Sequence, residues 1–243
     1  EYLAAQKTAA TLNSALCNTL NAETTYQPIS SMFILSQIED VDHFKQLALN
    51  NNPQLRQVGL KKDLAVEGVR LQRADFAPQV ALMGGASFYN YQVTPLMPRW
   101  AVGAGVSFKI FDGLNREYKF SAAKSQVRQV EALNVKAQHD ILTLIDKLYN
   151  EMTTYNEQLP SIDAAYNFAA EYLRIKEEAF KEGAAPSSDV VDAQLNLAKI
   201  KTERLQAAYY YDLMLARLLE ACGESEMLTE YARRPAAMPI RYE

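Results

Sequence analysis

The longest regular pattern in the sequence is a stretch with apolar side chains at every third or fourth position, from residue 115 to residue 182. This spacing is typical of a helix that packs one face against a partner helix. At a rise of about 1.5 Å per residue, the predicted helix is on the order of 100 Å long. Pro160 lies inside it and removes one backbone hydrogen bond, so we expect a bend near Gln158. The apolar pattern continues in phase beyond Pro160, which argues against a chain reversal there.

A second helix is predicted for residues 188–222, and residues 183–188 form the turn that leads into it. Gly183 suits the position just after a helix end, where the backbone often needs a positive φ. Ser187 or Ser188 suits the N-cap of the next helix, since a hydroxyl oxygen accepts a hydrogen bond from the first turn. The two helices are therefore expected to run antiparallel, like a coiled coil.

The N-terminal part of the chain is predicted to end one helix and to connect it to another. Residues 1–20 have helical spacing without a cap, and residues 21–37 indicate a connector with room for a short strand. The uncapped start indicates that the numbering begins inside a longer protein. Shifted by 203 positions, several alanines and leucines of this first helix match the last helix, as in a duplicated protein. Short alanine-rich helices also match by chance, so duplication and chance both stay open on this match alone. Residues 1–37 are interpreted as the end of a first-repeat helix and a connector.

A second repeat is predicted for residues 38–223, and residues 224–243 indicate an extended or poorly ordered tail. The repeat begins with helical spacing after Asp40, a candidate N-cap. The helix is interrupted before Pro53, because the residue before a proline is pushed out of the α region. The helical spacing then resumes and ends at Pro78.

Residues 79–111 change to a period of two, which predicts a β-hairpin. Large apolar side chains alternate with small or polar ones along the second strand. The apolar positions of that strand are Trp100, Val102, Ala104, Val106, Phe108 and Ile110. A tilted strand of about 9–11 residues spans a bilayer core, and each predicted strand has about that length. The same alternation also fits an ordinary soluble hairpin with one buried face, so both interpretations stay open on the alternation alone.

The composition narrows the class of protein. The chain has 25 basic and 29 acidic residues and a formal net charge of −4, which gives no sign of nucleic-acid binding. The sequence has no run of 18 apolar residues, so no transmembrane helix is predicted, and no leader peptide is recognisable. Cys17 and Cys222 are far apart, which is a weak signal for a disulfide, and they are interpreted as two small buried thiols near helix ends. His43 and His139 lack partners at metal-ligand spacing. We therefore expect no catalytic residue, cofactor or metal, and no enzyme.

The order and lengths of these elements resemble those of TolC-like outer-membrane efflux proteins, over about residues 1–225. Asn52-Pro53-Gln54-Leu55 resembles the start of a repeat in that family, and Phe76-Ala77-Pro78-Gln79-Val80 resembles its junction between helix and strand. Phe108-Lys109-Ile110-Phe111-Asp112-Gly113 is similar to the end of its second strand. The most specific likeness covers Gly183 through Gly223, in the lower helical turn and the closing helix.

This resemblance implies a mainly α fold of long antiparallel helices with one β-hairpin. It implies a homotrimer whose hairpins form a shared barrel in outer-membrane lipid, with a helical tunnel in the periplasm of a Gram-negative bacterium. It further implies a periplasmic adaptor and an inner-membrane transporter as partners. The chain holds one hairpin where the family has two, so we expect that it cannot form the pore alone. The lipid-facing residues are expected to be Trp100, Val102, Val106, Phe108 and Ile110.

Two further sites follow from the resemblance. Asp189 and Asp192 lie three positions apart on the last helix and share a face. Either they stabilise the N-terminus of the helix, or three copies of them form a cation-attracting ring at the periplasmic aperture. The turn at residues 183–188 is either a bland connection or the surface on which an adaptor docks. Its proposed docking residues are Gly183, Ala184, Ala185, Pro186 and Ser187.

The main alternative to an efflux or secretion channel is a periplasmic adaptor or another coiled-coil interaction protein. An adaptor is expected to carry compact β domains with several short strands. The sequence instead shows one long hairpin between helices. The channel interpretation is therefore preferred.

Overall fold

The computed structural model describes residues 2–22, 31–86 and 100–240. The helices are α1 (Tyr2–Thr19), α2 (Val41–Asn51), α3 (Pro53–Ala74), α4 (Asn115–Lys181), α5 (Ser187–Cys222) and α6 (Leu228–Arg233), with a 3₁₀ turn at Ser225–Met227. The strands are β1 (Met32–Leu35), β2 (Gln79–Ala86), β3 (Trp100–Ser107) and β4 (Ala237–Ile240). The mainly α fold with long helices and one hairpin is confirmed. The predicted turn between the two hairpin strands lies outside the described residues.

The chain forms two compact units. Unit 1 comprises Glu1–Gln37, Met152–Leu213 and Tyr231–Glu243. Unit 2 comprises Ile38–Glu151 and Met214–Glu230. Helices α4 and α5 each contribute residues to both units.

Unit 1 contains a two-stranded antiparallel sheet of β1 and β4, in which Met32 lies opposite Ile240 and Leu35 opposite Ala237. Asp212 of α5 supports this sheet, because its Oδ2 accepts a hydrogen bond from the Phe33 N–H at 3.2 Å. Its Oδ1 is buried and has no hydrogen-bond partner among the described residues. Burial raises the pKa of Asp212 to about 7, although the bond from Phe33 opposes that shift.

The expectation of an extended or poorly ordered tail was wrong for residues 224–240. This segment forms the 3₁₀ turn, α6 and β4, and the side chains of Tyr231 and Ile240 are buried. The physical reason is the pairing of β4 with β1, which lies some 200 positions earlier in the chain. Local periodicity carries no signal for a partner at that separation.

Unit 2 has its core where α2, α4 and α5 pack together. Buried side chains of this core include Phe44, Ala48, Ile145, Leu215, Leu218 and Leu219. Cys222 is also buried, and its thiol donates a hydrogen bond to the Phe44 carbonyl at 3.4 Å. Burial, with a smaller effect of Glu224, raises the pKa of the Cys222 thiol to about 12, so it stays protonated.

Asn52 ends α2 and begins α3, as the proline at position 53 predicts. Asn52 is buried, and its side chain Oδ1 accepts a hydrogen bond from the Leu55 N–H at 2.9 Å, which caps α3. Its Nδ2 donates to the Ala221 carbonyl at 2.7 Å, near the end of α5. One amide side chain thus satisfies two orphan backbone groups of two helices.

Helix α4 continues across Pro160, so Pro160 does not break the helix locally. The proline removes the donor for the carbonyl four residues earlier, at Asn156. Pro160 is exposed. Water can therefore hydrate the carbonyl that loses its partner.

Two element ends differ from the sequence prediction. Helix α5 begins at Ser187, so Pro186 takes the N-cap position that was assigned to a serine. Strand β3 ends at Ser107, and Phe108 and Ile110 lie beyond it. Ser107 lies opposite Gln79, and the next partner along β2 is Pro78, which has no N–H to donate.

Candidate functional site

Strands β2 and β3 form an antiparallel ribbon in unit 2. Val80 lies opposite Val106, Gly84 opposite Val102, and Ala86 opposite Trp100. Because successive side chains alternate between faces, these residues share one face of the ribbon, which is almost entirely apolar.

This apolar face is uncovered by other described residues. Trp100, Val102 and Val106 are 70%, 73% and 71% exposed, and Leu82 on the same face is 82% exposed. Uncovered large apolar side chains in a contiguous patch mark a surface that contacts lipid or another protein. Phe108 and Ile110, 55% and 86% exposed, lie past the strand end and outside the ribbon.

The opposite face of the ribbon is mainly small. Its members are Gln79, Ala81, Met83, Gly85, Ala101, Gly103, Gly105 and Ser107. Met83 departs from the small or polar pattern. A Cβ added at Gly105 would lie 3.6 Å from the Cε atom of Met83. The two faces thus differ chiefly in side-chain size, and the polar residues Gln79 and Ser107 both lie on the small face.

Four side chains connect the base of the ribbon to α4. Arg116 Nε lies 3.2 Å from Asp112 Oδ2, and both side chains are more than four-fifths buried. The Arg116 guanidinium also lies 5.2 Å from the centroid of the Phe76 ring. Phe76 in turn meets Phe120 edge to face, with centroids 6.0 Å apart. This Arg116 cluster joins the residues just before β2 to the start of α4.

The turn between α4 and α5 belongs to unit 1. Gly183 has φ of 76° and no atom within 4 Å of its Cβ position. The Ala184 N–H donates to the Ala179 carbonyl at 2.8 Å, and the Gly183 N–H donates to the Phe180 carbonyl at 3.0 Å. This is the Schellman pattern of a helix end. Gly183, Ala184, Pro186 and Ser187 are exposed and Ala185 is half-buried, so the tip is small, neutral and open.

The two predicted aspartates have different surroundings. Asp189 Oδ2 accepts a hydrogen bond from Lys176 Nζ at 2.7 Å. Asp192 is exposed, and no ion pair to it occurs among the described residues. The pKa of Lys176 is raised, chiefly by this hydrogen bond to Asp189.

Sequence reasoning missed Lys176. It lies 13 positions before Asp189, too far for a pairing within one helix. Lys176 lies seven positions before the turn at 183–188, whereas Asp189 lies one position after it. Because the two residues are not equally far from the turn, the simple register of an antiparallel helix pair does not predict this contact.

Neither a metal site nor a membrane-crossing helix is found in the parts of the chain that the structure describes. In these ranges, no three His, Cys, Asp or Glu side chains are grouped closely enough to hold a metal ion. None of the described helices combines the length and apolar character needed to span a membrane.

Comparison with known proteins identifies the class of this fold. A family model described as "Outer membrane efflux protein" matches residues 45–224. The Neisseria gonorrhoeae MtrE outer membrane channel in its open state superposes with a TM-score of 0.74 at 17% identity, covering 92% of this chain and 52% of MtrE. The Vibrio cholerae outer membrane protein VceC gives 0.69 at 17% identity, covering 91% of this chain and 54% of VceC. At such identities these two structures establish the fold alone.

The chain belongs to the outer membrane efflux protein family, since the family model matches well over half of it. It is also similar to outer membrane protein TolC of Vibrio cholerae serotype O1, 24% identical over 173 residues that cover 70% of this chain and 39% of TolC. The chain therefore spans about half the length of its structural relatives, and less of this curated one.

Proposed function

We propose that the native protein is the outer-membrane channel of a tripartite efflux or secretion system, in which substrates leave passively through a trimeric barrel and a periplasmic helical tunnel. The partners are a periplasmic adaptor and an inner-membrane transporter. The proposed location of the protein is the outer membrane and periplasm of a Gram-negative bacterium. Family membership supports the channel over an adaptor.

The observation that carries this proposal is the exposed apolar face of the ribbon. A two-stranded ribbon is marginal by itself, and this one leaves Leu82, Trp100 and Val102 uncovered. Lipid on one face and lateral strands at both edges would satisfy the apolar side chains and the unpaired backbone groups together. Additional hairpins must supply those strands, which is why the proposal includes a trimer.

The ribbon offers a matched test of the lipid contact. Val102 and Ala101 are adjacent in β3, are both exposed, and point to opposite faces. In the full-length protein, we expect Val102→Asp to abolish trimer insertion into liposomes, because a charge on the lipid face costs about 2–4 kcal/mol per site for basic residues near mid-bilayer, and somewhat less for Asp. Ala101→Asp should insert and conduct. Equal insertion of both variants would contradict a lipid-facing ribbon.

The open turn supports adaptor docking at Gly183–Ser187. We propose that its residues Gly183, Ala184, Ala185, Pro186 and Ser187 contact a helical hairpin of the adaptor. A photo-crosslinking residue at Ala184 should capture the adaptor in cells. The same residue at the exposed Ala198, further along α5, serves as the control. Capture from both positions at equal yield, or from neither in an efflux-competent strain, would count against docking at the turn.

The carboxylates support a cation-attracting aperture. We propose that Asp189 and Asp192 of three protomers lie around the periplasmic opening of the tunnel. The double variant Asp189→Asn/Asp192→Asn in the full-length trimer should lower the cation-to-anion permeability ratio in planar bilayers and weaken block by divalent cations. Unchanged selectivity and block would remove this assignment.

A further inference from the structure

Lys176 is held in place on two sides. Its Nζ donates to Asp189 Oδ2 at 2.7 Å across the α4–α5 pair. Nζ also lies 5.5 Å from the centroid of the Tyr172 ring, one turn earlier on α4. The side chains of Lys176 and Asp189 are 25% and 36% exposed, so this pair is shielded more than most surface ion pairs of the chain.

Other charges near the pair do not replace this contact. On α4, Glu177 and Lys181 follow Lys176 in sequence, and on α5 the exposed Asp192 lies one turn after Asp189. In the described part of the chain, the ion pairs of Lys176 and of Asp189 are with each other, whereas Lys181 and Asp192 have none. The hydrogen bond to Asp189 is the chief cause that raises the pKa of Lys176 above its ordinary value.

We infer that Lys176 sets the charge of the proposed aperture by neutralising Asp189, so that Asp192 is the carboxylate that acts on permeating cations. This inference rests on the proposed channel function. Each protomer then presents one effective negative charge at this level where the sequence shows two. The cation preference of the channel is correspondingly weaker than two free carboxylates would give.

The test compares two lysines in the full-length trimer, with reversal potentials measured in planar bilayers under a potassium chloride gradient. Lys176→Met and Lys181→Met each remove one positive charge per protomer near the same turn. We expect K176M to raise the cation-to-anion permeability ratio several-fold, because it releases Asp189, and K181M to change it much less. Equal changes in the two variants would overturn the inference.

Two compensating variants exclude a general loss of structure. K176M/D189N removes both members of the pair and keeps the net charge, so its permeability ratio should return to that of the wild type. The exchange K176D/D189K should do the same, since it restores the pair in reverse. A ratio that stays raised in both variants contradicts the pairing.

The failures of the two proposals are distinguishable. A wild-type trimer that inserts but shows no single-channel current overturns the channel function itself. If the trimer conducts and its cation-to-anion permeability ratio is the same in all four variants as in the wild type, the channel function stands and only the role of Lys176 is overturned.

Discussion

Two helices of this protein end in the same local structure but in opposite surroundings. Gly183 ends α4 with φ of 76°, and Gly223 ends α5 with φ of 77°. At Gly223 the Glu224 N–H donates to the Leu219 carbonyl at 2.8 Å and the Gly223 N–H donates to the Glu220 carbonyl at 2.9 Å. Both are Schellman ends. A Cβ at Gly183 would meet nothing within 4 Å, whereas one at Gly223 would lie 2.4 Å from the Asn51 carbonyl oxygen.

The difference separates two reasons for a glycine. At both positions the helix end needs a positive φ, which costs other residues about 1–2 kcal/mol. Only Gly223 also needs the absence of a side chain, because the backbone between α2 and α3 approaches it. The turn at Gly183 is therefore open to solvent, while the turn at Gly223 is covered by the backbone at Asn51.

The largest effect is expected for Gly223→Ala. The strained φ and the clash with the Asn51 carbonyl add to a loss of about 2–5 kcal/mol, since backbone cannot move aside as a flexible side chain can. The measurement is the free energy of unfolding of the full-length protein, followed by helical circular dichroism. A loss no larger than that of Gly183→Ala would show that the close approach does not constrain this helix end.

Asn52→Ala is expected to cost somewhat less, about 2–4 kcal/mol. It removes the cap on the Leu55 N–H and leaves the Ala221 carbonyl without its donor. Asn52→Asp is the informative control: its carboxylate keeps the acceptor for Leu55 but cannot donate to Ala221. An Asp variant as stable as the wild type would mean that the bond to Ala221 contributes little.

Gly183→Ala should cost about 1 kcal/mol, from backbone conformation alone. Gly68, inside α3 and likewise with nothing within 4 Å of its Cβ position, is the matched control. Gly68→Ala should instead stabilise by up to about 1 kcal/mol, because alanine favours a helix interior. The unfolding midpoints of the two variants should therefore move in opposite directions. A loss for Gly183→Ala as large as that for Gly223→Ala would show that the Gly183 turn has close contacts in the assembled protein.

The smallest effect is expected for Asn51→Ala. Its side chain Nδ2 donates to Glu224 Oε1 at 2.7 Å, beside Gly223, but the contact is exposed. Such a bond contributes about 0.5 kcal/mol, and salt weakens it. Unfolding at low and high ionic strength measures this. A loss above that of Asn52→Ala would mean that the exposed bond, and not the buried amide, holds the two helices together.

Local chemistry was sufficient to predict most of the helices. The break before Pro53 and the helix end at Gly183 follow from residues that dictate their own backbone conformation. The order of α2, α3, the hairpin and α4 follows from changes of hydrophobic period. Strand β4 was missed because β1, its partner, is remote in sequence, and β3 ends early because Pro78 on the opposite strand lacks a donor.

The candidate sites were predicted unevenly. The apolar face of the ribbon, from Trp100 to Val106, is exposed as alternation suggested, whereas Phe108 and Ile110 fall outside the strand. The acidic pair looked equivalent in sequence, since spacing within one helix treats Asp189 and Asp192 alike. Their inequality depends on Lys176 of the opposite helix, and only tertiary structure brings that residue near.

The ribbon of β2 and β3 also has a consequence for aggregation. In the part of the chain that the structure describes, each of these strands pairs on one side only, so each presents an unsatisfied backbone edge. Such edges are templates for joining the wrong molecule. The ribbon is therefore a place in the described part of the chain at which separate molecules can join strand to strand and aggregate.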